Sequence, residues 1–341
     1  MRLIQRWLGE LGAAGEIFAR DRRGAEDTVA AFDPSRIGDG DWLMIHHSLG
    51  DEWLGPALAA PGSKALVYHN ITPAKFLSHD AHLAKMAQLG RDQLGVFRDR
   101  VKLAYAVSQY NAFELEEAGI GPVKLLPLLD LSAEPRPTVR EPRASSVRKI
   151  LFVGRIAPHK AQAELVKVLY FLRQNSTLNY RLVLVGGEDP IYGRYVRGLV
   201  KGLGLMPSVE FHSKVTDEQL AQHYRDADAF LSLSRHEGFG IPLTEAIRHS
   251  LPVFAYWKTG VTETMGGAGL GLLTAKPHRV AEIVHQTLLS RDAVEAMHAS
   301  QLHRWESLSR FQSGKTALKA LSRLAGKAFR NSEISGPEVT A

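Results

Sequence analysis

No cysteine occurs in the 341 residues, which excludes disulfides and thiolate metal sites and leaves the redox compartment undetermined. No apolar run approaches the length of a membrane span. The opening Met1-Arg2-Leu3-Ile4-Gln5-Arg6-Trp7 also lacks the uninterrupted apolar core of a signal peptide. The chain is therefore read as cytoplasmic. A G-x-G-x-x-G fingerprint is missing both after the first strand and after Arg181 to Val185, where Gly186-Gly187-Glu188-Asp189-Pro190 stands instead, and this argues against a nicotinamide oxidoreductase. Basic residues are scattered among the acids, with no basic helix or aromatic-studded strand, so nucleic acid is not expected as a partner.

What is present is enough for two α/β domains, since 45% hydrophobic residues in a chain of this length can fill two cores. A net charge of +6 suits an anionic ligand, or peripheral contact with the anionic inner face of a membrane.

The rest of the sequence is organised around Ser234-Arg235-His236-Glu237-Gly238-Phe239-Gly240-Ile241-Pro242-Leu243-Thr244-Glu245-Ala246, in which seven residues separate two glutamates. The preceding Ala229-Phe230-Leu231-Ser232-Leu233 reads as a buried strand, and Pro242 fits the first turn of a helix. Gly238 and Gly240 leave backbone N–H groups open to a ligand, and the helix N-terminus adds donors and partial positive charge suited to phosphate. Two carboxylates beside a phosphate call for hydroxyl partners, such as those of a sugar ring and a ribose. Dipole complementation alone would account for Glu245 in a first helical turn, but not for Glu237 or the Gly-Phe-Gly spacing.

With Ser250-Leu251-Pro252-Val253-Phe254-Ala255 following, this segment resembles the E-x7-E signature of the retaining GT-B glycosyltransferases of family 4. The resemblance implies that Glu237 and the amides of Gly238, Phe239 and Gly240 hold a donor sugar. It implies further that Ile241, Leu243 and Thr244 line the donor site and that Glu245 holds the nucleotide ribose. After Lys149-Ile150-Leu151-Phe152-Val153, the segment Gly154-Arg155-Ile156-Ala157-Pro158-His159-Lys160 resembles the stretch of that family that neutralises the departing diphosphate, which assigns Arg155 and Lys160 that role. His69-Asn70-Ile71-Thr72-Pro73 resembles the family's histidine loop, so His69 is expected to reach the donor sugar across the cleft. Ser213 to Asp217 resembles its base-contacting loop, with Val215 as the contact. The alternative for each is ordinary: a hydrogen-bonded structural histidine, or surface charge at a helix start.

In chain order, Arg2 to Leu11 has helical spacing closed by Gly12, and Glu16 to Ala19 is a first strand candidate. Asp41 to Asp51 and Lys64 to Pro73 each read as a strand running into a polar loop at one edge, as parallel strands with a site at their C-terminal ends do. His46, His47 and His69 lack metal-site spacing, and His46 and His47 must face opposite ways on a strand, so no metal is expected. Arg100 to Asn111 is read as a strand and Ala112 to Ala118 as a helix closed by Gly119. Residues 131–148, with Pro135, Pro137 and Pro142, form a linker. Asp39-Gly40-Asp41 and Asp226-Ala227-Asp228 look like the metal-binding D-x-D of another glycosyltransferase fold, but read better as flanking elements. Residues 303–328 are helices that, by resemblance, return to complete the first domain, and residues 331–341 are expected to be a disordered tail.

The expected fold is thus α/β, GT-B, with two facing Rossmann-like domains over 1–130 and 149–302. In that family the first domain begins with a central strand and a glycine-rich loop. Here Met1 leads straight into the first helix, so the remaining strands are expected either to close up around the gap or to belong to a truncated chain. The resemblance implies transfer of a sugar from a UDP- or GDP-sugar to a saccharide or lipid-linked acceptor hydroxyl with retention, without cofactor or metal, in bacterial polysaccharide or glycolipid synthesis. A nucleotide-sugar-binding accessory protein without turnover stays open beside it.

Overall fold

The computed structural model describes residues 1–13, 15–19, 29–129, 137, 145–310, 316–319 and 321–323. Most of the expected linker and all of the expected tail lie outside these residues. The chain divides into two units. One holds residues 1–74, 82–130 and 311–341, and the other residues 75–81 and 131–310. Two segments thereby fall differently from the expected boundaries. Residues 75–81 cluster with the second unit although they lie far upstream of it, and so do residues 303–310, which end a helix begun in that unit.

In the first unit, helix α1 (Arg2–Glu10) leads to β1 (Phe18–Ala19), β2 (Ala30–Ala31), β3 (Trp42–His47), α2 (Leu54–Ala59) and β4 (Ser63–Tyr68). Then come α3 (Ala81–Asp92), β5 (Leu103–Ala106), α4 (Gln109–Glu117) and β6 (Val123–Leu125). Ser108 starts α4 by accepting the N–H of Asn111 at 3.2 Å, and Gly119 closes it with its N–H on Glu116 O. Strands β3 to β6 form one parallel sheet in that order. Ile4 and Trp7 of α1 pack on Ala65, Val67 and Tyr105 together with Leu318 and Leu321, so one face of the sheet is covered from both ends of the chain.

The strands do not close up. Strands β1 and β2 pair only with each other, and among the described residues the outer edge of β3 has no strand beside it. A cavity of about 1020 Å³ lies there, lined by Ile4 and Leu8, by Phe18 and Ala31, and by the length of β3. The cost shows in burial: Ala65, Leu66, Val67 and Tyr68 of β4 are fully buried, whereas Trp42 to His46 of β3 are only half-buried. A two-residue parallel pair cannot bridge a space of that size, because two-stranded pieces bury too little surface to organise a sheet.

The second unit runs β7 (Val147–Val153), α5 (Gln162–Asn175), β8 (Asn179–Val185), α6 (Pro190–Gly202), β9 (Val209–His212), α7 (Asp217–Asp226) and β10 (Ala229–Ser232). It continues with α8 (Ile241–Arg248), β11 (Val253–Tyr256), α9 (Gly260–Met265), β12 (Leu270–Leu272), α10 (Pro277–Leu289) and α11 (Arg291–Arg310). Its six parallel strands lie in the order β12-β11-β10-β7-β8-β9. Alternation along β7 explains why both faces are covered. Ile150 and Phe152 join Leu165, Val168, Leu169 and Leu172 of α5, and Leu151 joins Tyr224, Leu243, Ala246 and Ile247 from α7 and α8. The strand order reverses between β7 and β10, and in such sheets the crevice at that point, on the carboxyl edge, is where ligands bind. No helix among the described residues is long and apolar enough to cross a membrane.

Candidate active site

The loops that leave β7 and β10 meet at this reversal. The N–H of Arg235 donates to His159 O at 2.7 Å and joins the two loops by their backbones. Lys160 closes a short 3-10 turn, Pro158–Lys160, and Ala161 takes a left-handed conformation with φ 57° before α5 begins. That turn aims Lys160 back across the crevice, where its Nζ lies 2.7 Å from Glu237 Oε2, both side chains being mostly buried. Sequence reasoning gave the two residues separate ligand partners. The fold brings them together, and the anion beside Lys160 is the protein's own carboxylate.

Glu237 is held by its backbone as well as by its side chain. Its N–H donates to Thr259 Oγ1 at 3.0 Å, and its carbonyl accepts the N–H of Gly260 at 3.1 Å. A Cβ on Gly260 would run into the carbonyl of Gly238, so only glycine lets these two loops touch. Thr259 sits at φ 51°, a conformation that a β-branched residue adopts only when its surroundings enforce it. Thr259 was missed from the sequence, where nothing separates it from any other loop threonine. Strain of this kind is visible only in the fold.

Helix α8 begins at Ile241, after Gly240 in the left-handed region at φ 91°. Glu245 is thus one full turn inside the helix rather than in its first turn. Dipole complementation fades within the first turn and does not account for it. Its Oε2 instead accepts the hydroxyl of Tyr224 at 2.7 Å.

The remaining expected donor residues divide by exposure. Ile241 is exposed. Leu243 and Thr244 are only 2% exposed, and the hydroxyl of Thr244 is bound to Ile241 O at 2.7 Å. Their side chains belong to the core and the helix start, which leaves them only main-chain groups to offer a ligand. The carbonyl of Phe239 accepts the hydroxyl of Thr264. Val215 follows β9 and packs half-buried against the cluster that holds Leu151 and Tyr224. Arg155 is 57% exposed, with its guanidinium 4.0 Å from Asp189 Oδ2. Asp189 caps α6 through the N–H groups of Ile191 and Tyr192 and also bonds His79 Nε2 at 2.9 Å. Phe76 lies between the rings of His159 and His236, at 6.5 and 6.1 Å. The segment 75–81 therefore borders the β7 and β10 loops, a placement that nothing in its sequence announced.

His69 lies in the first unit, after β4. Its ring stacks on that of His46 with 2.6 Å between His46 Nδ1 and His69 Nε2, while His47 faces the other way onto Gly90 O at 2.7 Å. Arg91 bonds Ile71 O, and the hydroxyl of Tyr68 accepts the N–H of Ile71, so the loop is held at both of that residue's backbone groups. Burial lowers the pKa of His46 to about 3 and of His69 to about 4, and both rings are neutral at neutral pH. In the second unit burial, reinforced by Lys160, lowers that of His159 to about 3.

A histidine depressed in the folded state takes up its proton mainly by unfolding. Stability should thus be full above pH 6.5 and fall as the pH drops from there toward about 3. Melting temperature measured across that window should decline, and a His46→Asn, His69→Asn double variant should decline less steeply.

Asp228 binds the N–H of Lys149 at 2.8 Å and Asp41 the N–H of Gly38 at 2.8 Å, as turn and strand-edge residues do. Among the described residues no three His, Cys, Asp or Glu side chains are grouped to hold a metal.

Residues 138–300 match the family of glycosyl transferases, group 1. That stretch holds Arg155, Lys160, Glu237 and Glu245, and ends short of the first unit. O-antigen chain mannosyltransferase B of Escherichia coli is 31% identical over 144 residues, which are 41% of this chain and 36% of that protein. GDP-mannose:cellobiosyl-diphosphopolyprenol alpha-mannosyltransferase of Xanthomonas oryzae is 31% identical over 104 residues, 30% of this chain and 27% of that protein. The matched stretch thus spans about a third of the length of these curated relatives. The solved structure of WaaG, a glycosyltransferase involved in lipopolysaccharide biosynthesis, superposes with a TM-score of 0.64 over 93% of both chains at 14% identity, a likeness of fold. The fold is GT-B, with two Rossmann-like units.

Proposed function

We propose that this protein transfers a hexosyl group from a UDP- or GDP-sugar to a saccharide or lipid-linked acceptor hydroxyl, with retention of the anomeric configuration. The observation that carries this reading is the pairing of Lys160 with Glu237 in the loops just ahead of α5 and α8, at the point where the strand order reverses. In the reaction the bond between the anomeric carbon and the diphosphate oxygen breaks, the acceptor oxygen takes its place on the same face, and the proton of the acceptor hydroxyl passes to the departing diphosphate. The charge left on the diphosphate is met by Arg155, Lys160 and the N-terminus of α8. Lys160 changes partners as the donor enters, and Glu237, released from it, accepts hydroxyl groups of the sugar. Glu245 takes the ribose, and His69 is assigned to the donor sugar by resemblance alone. No metal or cofactor has a part in this scheme. The mannosyl transfer named for both relatives favours a GDP-linked donor and an acceptor of glycolipid or polysaccharide assembly.

The test is a panel of UDP- and GDP-sugars with labelled donor, following transfer to saccharide and polyprenyl acceptors and the anomeric configuration of the product by NMR. Turnover with one donor and a retained configuration is the expected result. Tight donor binding with neither transfer nor donor hydrolysis would show the accessory binding protein instead.

A further inference from the structure

Tyr224 is 1% exposed, and its ring is enclosed by two aromatic neighbours. It lies parallel to His249, at 5.1 Å and 3°, and stacks on Phe230 at 6.1 Å. Its hydroxyl faces polar groups of α8. It stands 2.7 Å from Glu245 Oε2 and 3.3 Å from the carbonyl of Pro242. One hydroxyl carries one proton, and the shorter contact to a charged acceptor takes it. Burial and the neighbouring carboxylate both push the phenol's pKa well above its usual value, so the group stays a donor at any working pH.

From this geometry we infer that Tyr224 is a positioning residue that holds the Glu245 carboxylate ready for the ribose hydroxyls of a nucleoside diphosphate. The inference rests on the proposed function, in which Glu245 faces the ribose. A glutamate side chain on an open helix face samples several rotamers, and choosing one of them on binding costs affinity. Anchoring Oε2 from α7 removes that cost and leaves Oε1 and the second lone pair of Oε2 to accept hydroxyl groups. The fixed ring of Tyr224 is what makes the anchor rigid, since its two aromatic neighbours prevent it from following a moving carboxylate.

The experiment is calorimetry with UDP and GDP and with their 2′,3′-dideoxy counterparts, on wild type, Tyr224→Phe and Glu245→Ala. Tyr224→Phe keeps the ring and its stacking and removes only the oxygen. Wild type should prefer the ribose ligands. Tyr224→Phe should bind them about tenfold more weakly and bind the dideoxy ligands as wild type does. Glu245→Ala should lose the same preference entirely. An equal loss by Tyr224→Phe on both kinds of ligand would mean that Tyr224 only supports the fold, and an unchanged preference would mean that it does not orient Glu245. Either result overturns the inference. Wild type that binds neither diphosphate, or does not distinguish ribose from dideoxyribose, would instead overturn the ribose assignment beneath it.

Discussion

Lys160→Ala should slow glycosyl transfer by about a hundredfold or more, as loss of one fixed charge aimed at a developing oxyanion does. Glu237→Ala should fall by a similar factor, through the sugar rather than the diphosphate. From the sequence, both side chains faced only a ligand, and neither replacement should have altered stability. The 2.7 Å pair changes that expectation. Removing either partner leaves a mostly buried charge without its counterpart, at a cost of about 1–3 kcal/mol, between the values for exposed and for buried pairs. Each single variant should therefore melt a few degrees lower, and a Lys160→Ala, Glu237→Ala double variant should melt less far below wild type than the sum of the two shifts while staying inactive. Transfer rates and melting curves on the four proteins give the check. An active Lys160→Ala enzyme would end the assignment of this lysine to the leaving group, and additive melting shifts would show that the pair contributes nothing to the fold.

Gly260→Ala should be nearly as damaging although glycine carries no chemistry. The added Cβ would overlap the carbonyl of Gly238 and lie 3.0 Å from that of Glu237, and both are backbone atoms that cannot rotate away. The loop ahead of α9 must then retreat, which breaks the hydrogen bond from Gly260 N–H to Glu237 O and loosens the Thr259 contact to the N–H of Glu237. Overpacking of this sort costs about 1–3 kcal/mol of stability. Displacing Glu237 by as little as about 1 Å should cost about a hundredfold in rate. Alanine at the neighbouring Gly267, where a Cβ would meet nothing within 4 Å, is the control for position in the chain. Its own φ of 89° makes it a demanding control, since any strain there is backbone strain without loop displacement. If Gly260→Ala transfers sugar at the wild-type rate, the close loop contact is not what places Glu237.

The elements that could be read from residue order are those in which local chemistry and burial agree. Strand β10 and helix α1 were legible because a short apolar run and a 3.6-residue spacing each persist along the chain, and α4 was legible at its end because Gly119 stops it. The E-x7-E segment was legible as a loop entering a helix because glycine, proline and glutamate each have a separate reason to stand there. Pro242 stands in the first turn of α8 as expected, but Glu245 was placed one turn too early. The left-handed conformation of Gly240 that admits the helix is a backbone angle and leaves no mark on composition.

The sequence by itself determined that this protein has parallel α/β architecture and that it holds no thiol chemistry, while the residues expected at the crevice of the second sheet came from its resemblance to a known family. The first two follow from periodicity and composition, which are properties of neighbours along the chain. Only the tertiary structure decided the partnerships: Lys160 with Glu237 across 77 positions, Tyr224 with Glu245 across 21, and Thr259 with the N–H of Glu237 across 22. It also decided that β1 and β2 stand apart from β3, and that residues 75–81 cluster with the second unit. The physical reason is the same in each case. A contact between elements depends on where the sheet's twist and the packing of its two faces bring distant loops, and no spacing within one segment carries that information.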